Sequence, residues 1–153
     1  MENLIKKYAL TPHPEGGYFR EIYRSAQTLQ SGRVPQKRNA VTHIYFLLVK
    51  GQISRFHRVI HDEIWNFYEG DPLQLIQFTT TGIGAKTLGP GGNGYAAVVP
   101  GNTWQAAATL GRYSLMGCTV APGFDFADFS FLRDIPDELA RFRAGQTGYD
   151  SFL

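Results

Sequence analysis

The chain has 153 residues and a formal net charge of +2, with 43% hydrophobic and 18% charged residues. This balance indicates an ordinary globular chain of single-domain size and excludes a disordered one. The charge is too small and the basic residues are too scattered to indicate a nucleic-acid-binding surface. The single cysteine, Cys118, allows no intrachain disulfide, which is typical of a reducing compartment.

Neither a targeting segment nor a membrane span is predicted. Residues 1–7 lack the charged start and long apolar stretch of a secretory signal. No run approaches the roughly 18 apolar residues that a membrane-spanning helix needs. We therefore expect a cytoplasmic protein with no membrane partner and no nucleic-acid partner.

The first part of the chain predicts a short helix or arm at residues 4–10, followed by a turn-rich stretch. Residues 18–24 alternate aromatic and charged side chains, which predicts a strand. Arg20 and Arg24 would then share one face of that strand, where they could clamp an anion or form surface ion pairs.

The rest of the chain predicts many short strands separated by glycine and proline turns, which is typical of a β-sandwich or barrel. Residues 25–40 predict a polar surface loop, in which Lys37 and Arg38 are expected to be solvated. The predicted strands cover residues 41–49, 53–60, 64–68, 73–78, 95–99, 104–108 and 113–120.

A closing helix is predicted at about residues 136–144. Pro136 suits its first position, acidic residues follow, and basic residues precede the stop at Gly145. We expect one domain over residues 1–153, with an all-β core at about 18–133.

Two glycine-anchored motifs in the middle of the chain resemble those of the cupin superfamily. The first motif contains Gly51, His57, Glu63 and Gly70, and the second contains Gly94, Pro100 and Gly101. Longer pieces at 13–21, 54–58, 62–70 and 100–106 are similar to cupin family 5, a small single-domain branch whose members mostly lack an assigned reaction. The resemblance implies a double-stranded β-helix, the cupin jelly-roll barrel, with a pocket inside it and a homodimer as the assembly.

The resemblance also indicates where a metal ion would be held. Metal-binding cupins place three histidines and one glutamate around an ion, and here His57 and Glu63 occupy two of those positions. Val59 and Gln105 occupy the other two. A catalytic metal site needs about three protein ligands, and His61 or His43 would have to complete one. If a metal ion is bound, its ligands would be His57, Glu63 and His61. The sequence thus predicts either no cofactor or a divalent metal ion.

Strand alternation predicts which side chains meet in the pocket. If His57 and Glu63 face inward, Arg55, Trp65 and Gln105 do so too. His57 and Glu63 form the predicted catalytic pair, in which the carboxylate orients the imidazole as a general base. The structural alternative is that the two groups only satisfy each other. The predicted ligand-binding residues are Arg55, Trp65, Gln105, Trp104, His43 and Tyr45.

Three functions are compatible with these residues. The first is a small-molecule-binding cupin with a metal-independent, isomerase- or epimerase-like activity on a sugar-like or other small polar ligand. This reaction class rests on analogy with enzymes of the same fold. The second is a metal-dependent dioxygenase or isomerase, and the third is a non-catalytic dimeric binding protein.

Overall fold

The computed structural model describes residues 2–145 and 148–153, and most of its strands form two antiparallel sheets. The helices are α1 (Glu2–Tyr8) and α2 (Pro136–Ala144). The strands are β1 (Thr11–Pro12), β2 (Tyr18–Arg24), β3 (Thr28–Gln30), β4 (Lys37–Asn39), β5 (Thr42–Val49), β6 (Ile53–Val59), β7 (Asp62–Gly70), β8 (Leu73–Thr79), β9 (Gly82–Leu88), β10 (Ala96–Val99), β11 (Trp104–Thr109), β12 (Tyr113–Ala121) and β13 (Phe129–Phe131).

The strand order interleaves distant parts of the chain. The six-stranded sheet runs β1-β2-β5-β12-β7-β10, and the five-stranded sheet runs β13-β6-β11-β8-β9. Strands β3 and β4 form a separate hairpin. Because β6 and β7 are consecutive in sequence but lie in opposite sheets, their inward side chains approach each other from two sides.

No helix within residues 2–145 and 148–153 has the length and apolar character to cross a membrane.

Alternating side chains build three apolar layers. The layer between the sheets contains Phe46, Trp65 and Leu75, each no more than 1% exposed. A second layer, around Phe142, lies between the five-stranded sheet and α2, and a third, around Leu47, lies beneath α1. Burying one large apolar side chain stabilises the fold by about 1.5–3 kcal/mol. Phe46, Trp65 and Cys118 of the inner layer also line a cavity whose other walls include polar side chains.

The structure confirms the predicted all-β architecture and the closing helix, but five strands were missed: β1, β3, β4, β9 and β13. Four of them have only two or three residues, and β3 and β4 pair within the predicted loop of residues 25–40. Strand β9 contains Gly82, Gly84 and Lys86, residue types that are depleted in strands. It lies at an edge of its sheet, and most of its residues are exposed. The strand forms because it pairs with β8 along its whole length. It therefore lacks the alternating hydrophobic pattern from which a strand is predicted.

The expectation that Arg38 is solvated was wrong. Its side chain is 8% exposed, and two of its nitrogens donate to the Asp128 carboxylate at 2.7 Å. Lys37 is exposed as expected. Asp128 is 90 residues away along the chain, so nothing near Arg38 in the sequence marks the pair.

Phe142 anchors α2 to the five-stranded sheet, and we expect Phe142→Ala to lower the free energy of unfolding by about 3–5 kcal/mol. The ring is fully buried and contacts Phe56 and Phe78 at centroid distances of 5.0 and 5.2 Å. Urea unfolding measures the change. Arg143→Ala, at the exposed neighbouring position, is the control and should change stability by less than about 0.5 kcal/mol. A loss below about 1 kcal/mol in Phe142→Ala would contradict this assignment.

Candidate functional site

A cavity of about 320 Å³ lies among inward-facing residues of both sheets and two connecting segments. Its inner end is formed by buried side chains, and its mouth by exposed ones. The inner lining residues are His13, Glu15, Phe46, His57, Val59, Glu63, Trp65, Cys118 and Val120. The outer and side-wall residues are Phe19, Glu21, Arg24, Thr42, Ile44, Phe124, Asp125, Phe126 and Phe129. The cavity thus combines acidic groups, aromatic rings and two histidines.

Glu15 and His57 face each other at the inner end. His57 Nδ1 lies 2.7 Å from the Arg55 carbonyl oxygen, which only accepts, so Nδ1 carries a hydrogen. His57 Nε2 lies 3.2 Å from Glu15 Oε2. A lone pair on Nε2 cannot face an ionised carboxylate favourably, so one proton lies between the two groups. Ser54 Oγ donates to the other Glu15 oxygen at 2.8 Å.

Burial decides where that proton resides. It raises the pKa of Glu15 to about 8, although the hydrogen bond from Ser54 acts in the opposite direction. Burial also lowers the pKa of His57, against smaller upward effects of Glu63 and the Arg55 carbonyl. Both shifts favour uncharged forms, as expected for groups removed from water. At neutral pH, therefore, protonated Glu15 donates to neutral His57.

Glu63 is held by a different chain of contacts. Trp65 Nε1–H, which can only donate, bonds Gln105 Oε1 at 2.9 Å. This fixes the orientation of the Gln105 amide, whose Nε2 then donates to Glu63 Oε2. Burial raises the pKa of Glu63 to about 7, and nearby His57 partly opposes the shift. The carboxyl group is therefore positioned by a neutral amide and titrates close to neutral pH.

A bulge in β6 brings two polar side chains onto Glu15. Gln105 and Ala107 of β11 pair with His57 and Ser54, so two residue steps on β11 meet three on β6. Such an extra residue breaks strict alternation. Ser54 and His57 therefore both point towards Glu15. The inward placement predicted for Arg55 was wrong for this reason: it does not line the cavity.

Glu15 reaches the cavity because two glycines follow it. Gly16 and Gly17 have φ values of +116° and +72°. A Cβ on Gly16 would lie 2.0 Å from the Ile53 carbonyl oxygen, and one on Gly17 would lie 2.7 Å from that of Leu47. Only glycine permits this approach to the sheets. A carboxylate directly before this glycine pair was the sequence signal for Glu15, which our sequence reasoning missed.

His13 and Cys118 also line the cavity and were not predicted as site residues. The backbone N–H of Glu15 donates to His13 Nδ1 at 3.3 Å, so the proton of neutral His13 is on Nε2. Burial lowers the pKa of His13 to about 3, and His57 adds to the effect. Burial raises the pKa of the Cys118 thiol. Both groups are uncharged at neutral pH.

An ion pair lies at the mouth. Arg24 and Glu21 approach to 2.7 Å, and Arg24 also donates to Asn39 Oδ1 and to the Phe124 carbonyl oxygen. The pairing register of β2 shifts between Glu21 and Tyr23, which turns Arg24 towards the cavity. Arg20 instead lies over the Tyr45 ring at 5.8 Å. The shared face predicted for the two arginines was therefore wrong.

The other predicted residues are divided between the cavity and the rest of the molecule. His57, Glu63 and Trp65 line the cavity, with Gln105 buried behind them. His43 bonds Thr119 and Tyr68 outside the cavity lining. Tyr45 packs on Tyr8 beneath α1, and Trp104 lies in the layer beneath α2, with Arg58 4.4 Å from its ring. These placements do not bring His43, Tyr45 or Trp104 to the cavity.

The metal set predicted from the resemblance is not assembled. His61 lies in a separate shallow cavity, where its Nε2 is 2.7 Å from Ser31 Oγ. Within the described part of the chain, no three His, Cys, Asp or Glu side chains are placed to hold a metal ion. At the remaining family positions, Val59 offers no donor atom and the Gln105 amide already bonds Glu63. The residues present therefore do not fit the metal centre of metal-binding cupins.

We expect the free energy of unfolding to fall as pH rises from about 6.5 to 8, and Glu15→Gln to reduce that fall. The pKa of Glu15 is raised from 4.5 to about 8, so its stabilising contribution is complete below pH 4.5 and is lost as pH passes 8. Glu63 acts likewise up to about 7, while the lowered histidine pKa values act in the opposite sense only below 6.5. A glutamine can still accept from Ser54 and donate to His57.

Urea midpoints measured across this pH range test the expectation. Asp137→Asn, which removes an exposed carboxylate on α2, should keep the slope of the unmodified protein. An unchanged slope in Glu15→Gln would show that Glu15 is ionised in the native state.

Comparisons with known proteins agree with this fold. A family model described as Cupin superfamily (DUF985) matches residues 2–132. An uncharacterized protein of Saccharomyces cerevisiae is 31% identical over 157 residues, which cover 91% of this chain and 78% of that protein.

Solved structures show the same likeness. A hypothetical protein from Leishmania major is 33% identical, with a TM-score of 0.83 and 92% of each chain covered. A protein from Shewanella oneidensis is 30% identical, with a TM-score of 0.80 and coverage of 95% of this chain and 94% of that one. A Klebsiella pneumoniae protein with a double-stranded β-helix domain is 16% identical, with a TM-score of 0.58, covering 83% and 92%, and resembles this chain in fold alone. This chain therefore belongs to the cupin superfamily, in the family described as DUF985, and has the double-stranded β-helix fold.

Proposed function

We propose that the cavity binds a small polar organic molecule and moves protons on it in a metal-independent, isomerase- or epimerase-like reaction. The observation that supports this is the convergence of Glu15, His57 and Glu63 at one buried end. Burial places the pKa values of the two carboxyl groups at about 8 and about 7. Groups that titrate near the working pH are the most effective proton donors and acceptors.

The size and lining of the cavity favour a sugar-like or similarly donor-rich ligand. Its volume of about 320 Å³ is at the lower end of the roughly 300–1,000 Å³ typical of small-molecule sites. Phe46, Trp65 and Phe129 supply apolar walls, and the Phe129 ring stacks on His57 at 5.3 Å. Carboxylate oxygens accept hydrogen bonds from hydroxyl groups, so a polyol with one apolar face would match both kinds of lining.

The two carboxyl groups have complementary roles in the proposed reaction. Ionised Glu63 takes a proton from a carbon next to a carbonyl group of the ligand. Glu15 gives its proton to the carbonyl oxygen, so the bound ligand becomes an enol. Return of a proton to carbon, from Glu63, and of the hydroxyl proton to Glu15 restores both groups. His57, held through Nδ1 by the Arg55 carbonyl, orients Glu15 while Glu15 is protonated. After the proton has left, Ser54 still donates to the other Glu15 oxygen.

Deuterium incorporation tests this reaction directly. We expect the protein, incubated in D₂O with a panel of aldoses and ketoses, to place deuterium on carbon in at least one of them. Glu63→Gln should reduce the rate by about 10²–10⁴-fold, because it removes the proton acceptor. Mass spectrometry follows the exchange, and Asp137→Asn is the control that should retain it.

A panel member that binds without exchange would contradict the reaction and favour a protein that only binds its ligand. Binding is measured separately by the shift in melting temperature.

The homodimer implied by the resemblance remains a proposal. Ile64, Tyr68 and Val98 are 38–52% exposed, and they lie on the strand faces opposite the cavity-facing Glu63 and Trp65. A second copy covering them would remove apolar surface from water. We expect light scattering to give about twice the chain mass of 17.1 kDa, and Tyr68→Glu to shift the protein towards monomer. A monomer mass for the unmodified protein would rule the dimer out.

A further inference from the structure

The geometry points to a ligand that carries a cationic nitrogen, as an alkylammonium or quaternary ammonium group. This inference rests on the proposed use of the cavity as a small-molecule site, and it defines the charge of the ligand. Two independent features of the lining support it: carboxylates without cationic partners, and a cluster of aromatic rings.

The lining holds more acidic groups than basic ones. It contains the carboxyl groups of Glu15, Glu21, Glu63 and Asp125, whereas Arg24 is the only lysine or arginine among the described residues that line it. Arg24 is already paired with Glu21 at 2.7 Å. His13 and His57 are neutral, because burial lowers the pKa of each. The cavity therefore has an excess of negative charge whenever Glu63 is ionised.

Glu63 is the buried carboxyl group whose negative charge has no cationic partner in the described part of the chain. It is 7% exposed, and among residues 2–145 and 148–153 no lysine or arginine forms an ion pair with it. Its hydrogen-bond donor Gln105 is neutral. A buried carboxylate is stable only when it is paired or protonated. A ligand cation would provide the missing charge, whereas a neutral polyol would provide only hydrogen bonds.

Aromatic rings supply the second feature. Phe19 and His13 contact each other edge to face at 4.6 Å, and Phe124 and Phe126 do so at 4.9 Å. The Phe129 ring contacts both the second pair and His57, with centroid distances of 6.3 Å to Phe124 and to Phe126. Aromatic faces attract cations through the ring quadrupole, and groups of such rings recognise quaternary ammonium ligands.

The acidic and aromatic features occur along the same path. Asp125 lies at the exposed mouth between Phe124 and Phe126, and Glu63 lies at the buried end beside Trp65. A cation entering the cavity would meet negative charge and aromatic faces at both ends. An anion would meet the same carboxylates with Arg24 already occupied, so the lining selects against it.

Choline and its neutral isostere 3,3-dimethyl-1-butanol, in which carbon replaces the charged nitrogen, provide a matched test. Titration calorimetry on the full chain should give choline an affinity higher by about tenfold or more, because the two differ only in charge. Glu63→Gln should reduce choline binding to about the level of the isostere and leave the isostere unchanged. Asp137→Asn should affect neither ligand.

Equal affinities for the two probes, no choline binding up to tens of millimolar, or choline binding that survives Glu63→Gln would each overturn the inference. Should Glu63→Gln fail to fold, Asp125→Asn at the exposed mouth takes its place. It should weaken choline binding by about twofold to fivefold, and unchanged binding would again overturn the inference. A sugar that exchanges deuterium when choline does not bind would leave the proposed function standing without this refinement. No binding of any probe or panel member would refute both.

Discussion

One proton held between Glu15 and His57 is the interaction on which the inner end of the cavity depends. His57 Nδ1 is already committed to the Arg55 carbonyl oxygen at 2.7 Å, so only Nε2 is left to meet Glu15. Without the shared proton, a lone pair and a carboxylate would face each other at 3.2 Å in a site removed from water. With it, two buried ionisable groups become one neutral unit. Among the residues that the structure describes, no lysine or arginine forms an ion pair with this unit.

Small backbone features determine whether this unit can form. The Glu15 segment lies against the sheets only because Gly16 and Gly17 have no Cβ at points where the Ile53 and Leu47 carbonyl oxygens approach. The β6 bulge then directs both Ser54 and His57 to the same carboxyl group. Neither feature contributes a functional group of its own. Together they convert an ordinary sandwich interior into a place where a carboxylic acid stays protonated near neutral pH.

The parts of this arrangement that follow regular periodicity were predictable from the sequence. Alternation correctly placed Glu63 and Trp65 inward from β7 and marked β2, and the residues at its two ends marked α2. The failures occurred where periodicity breaks or where partners are distant in sequence. Arg55 and Arg24 were misplaced because bulges shift the register of β6 and β2. Glu15 was missed because its role arises from contacts with Ser54 and His57, about 40 residues further along the chain.

Val59 and Gln105, which occupy two metal-ligand positions of metal-binding cupins, have other roles in this structure. At one, Val59 lines the cavity with an apolar surface; at the other, the Gln105 amide is oriented by the Trp65 indole so that it donates to Glu63. An amide that donates cannot neutralise a carboxylate, whereas Glu15 is uncharged because it keeps its own proton and donates it to His57. The two carboxyl groups at the inner end therefore differ in their partners: protonated Glu15 has a histidine that accepts its proton in a hydrogen bond, whereas Glu63 has an amide that donates to it. An acid that donates to a histidine and an acid that accepts from an amide are suited to opposite roles in proton transfer.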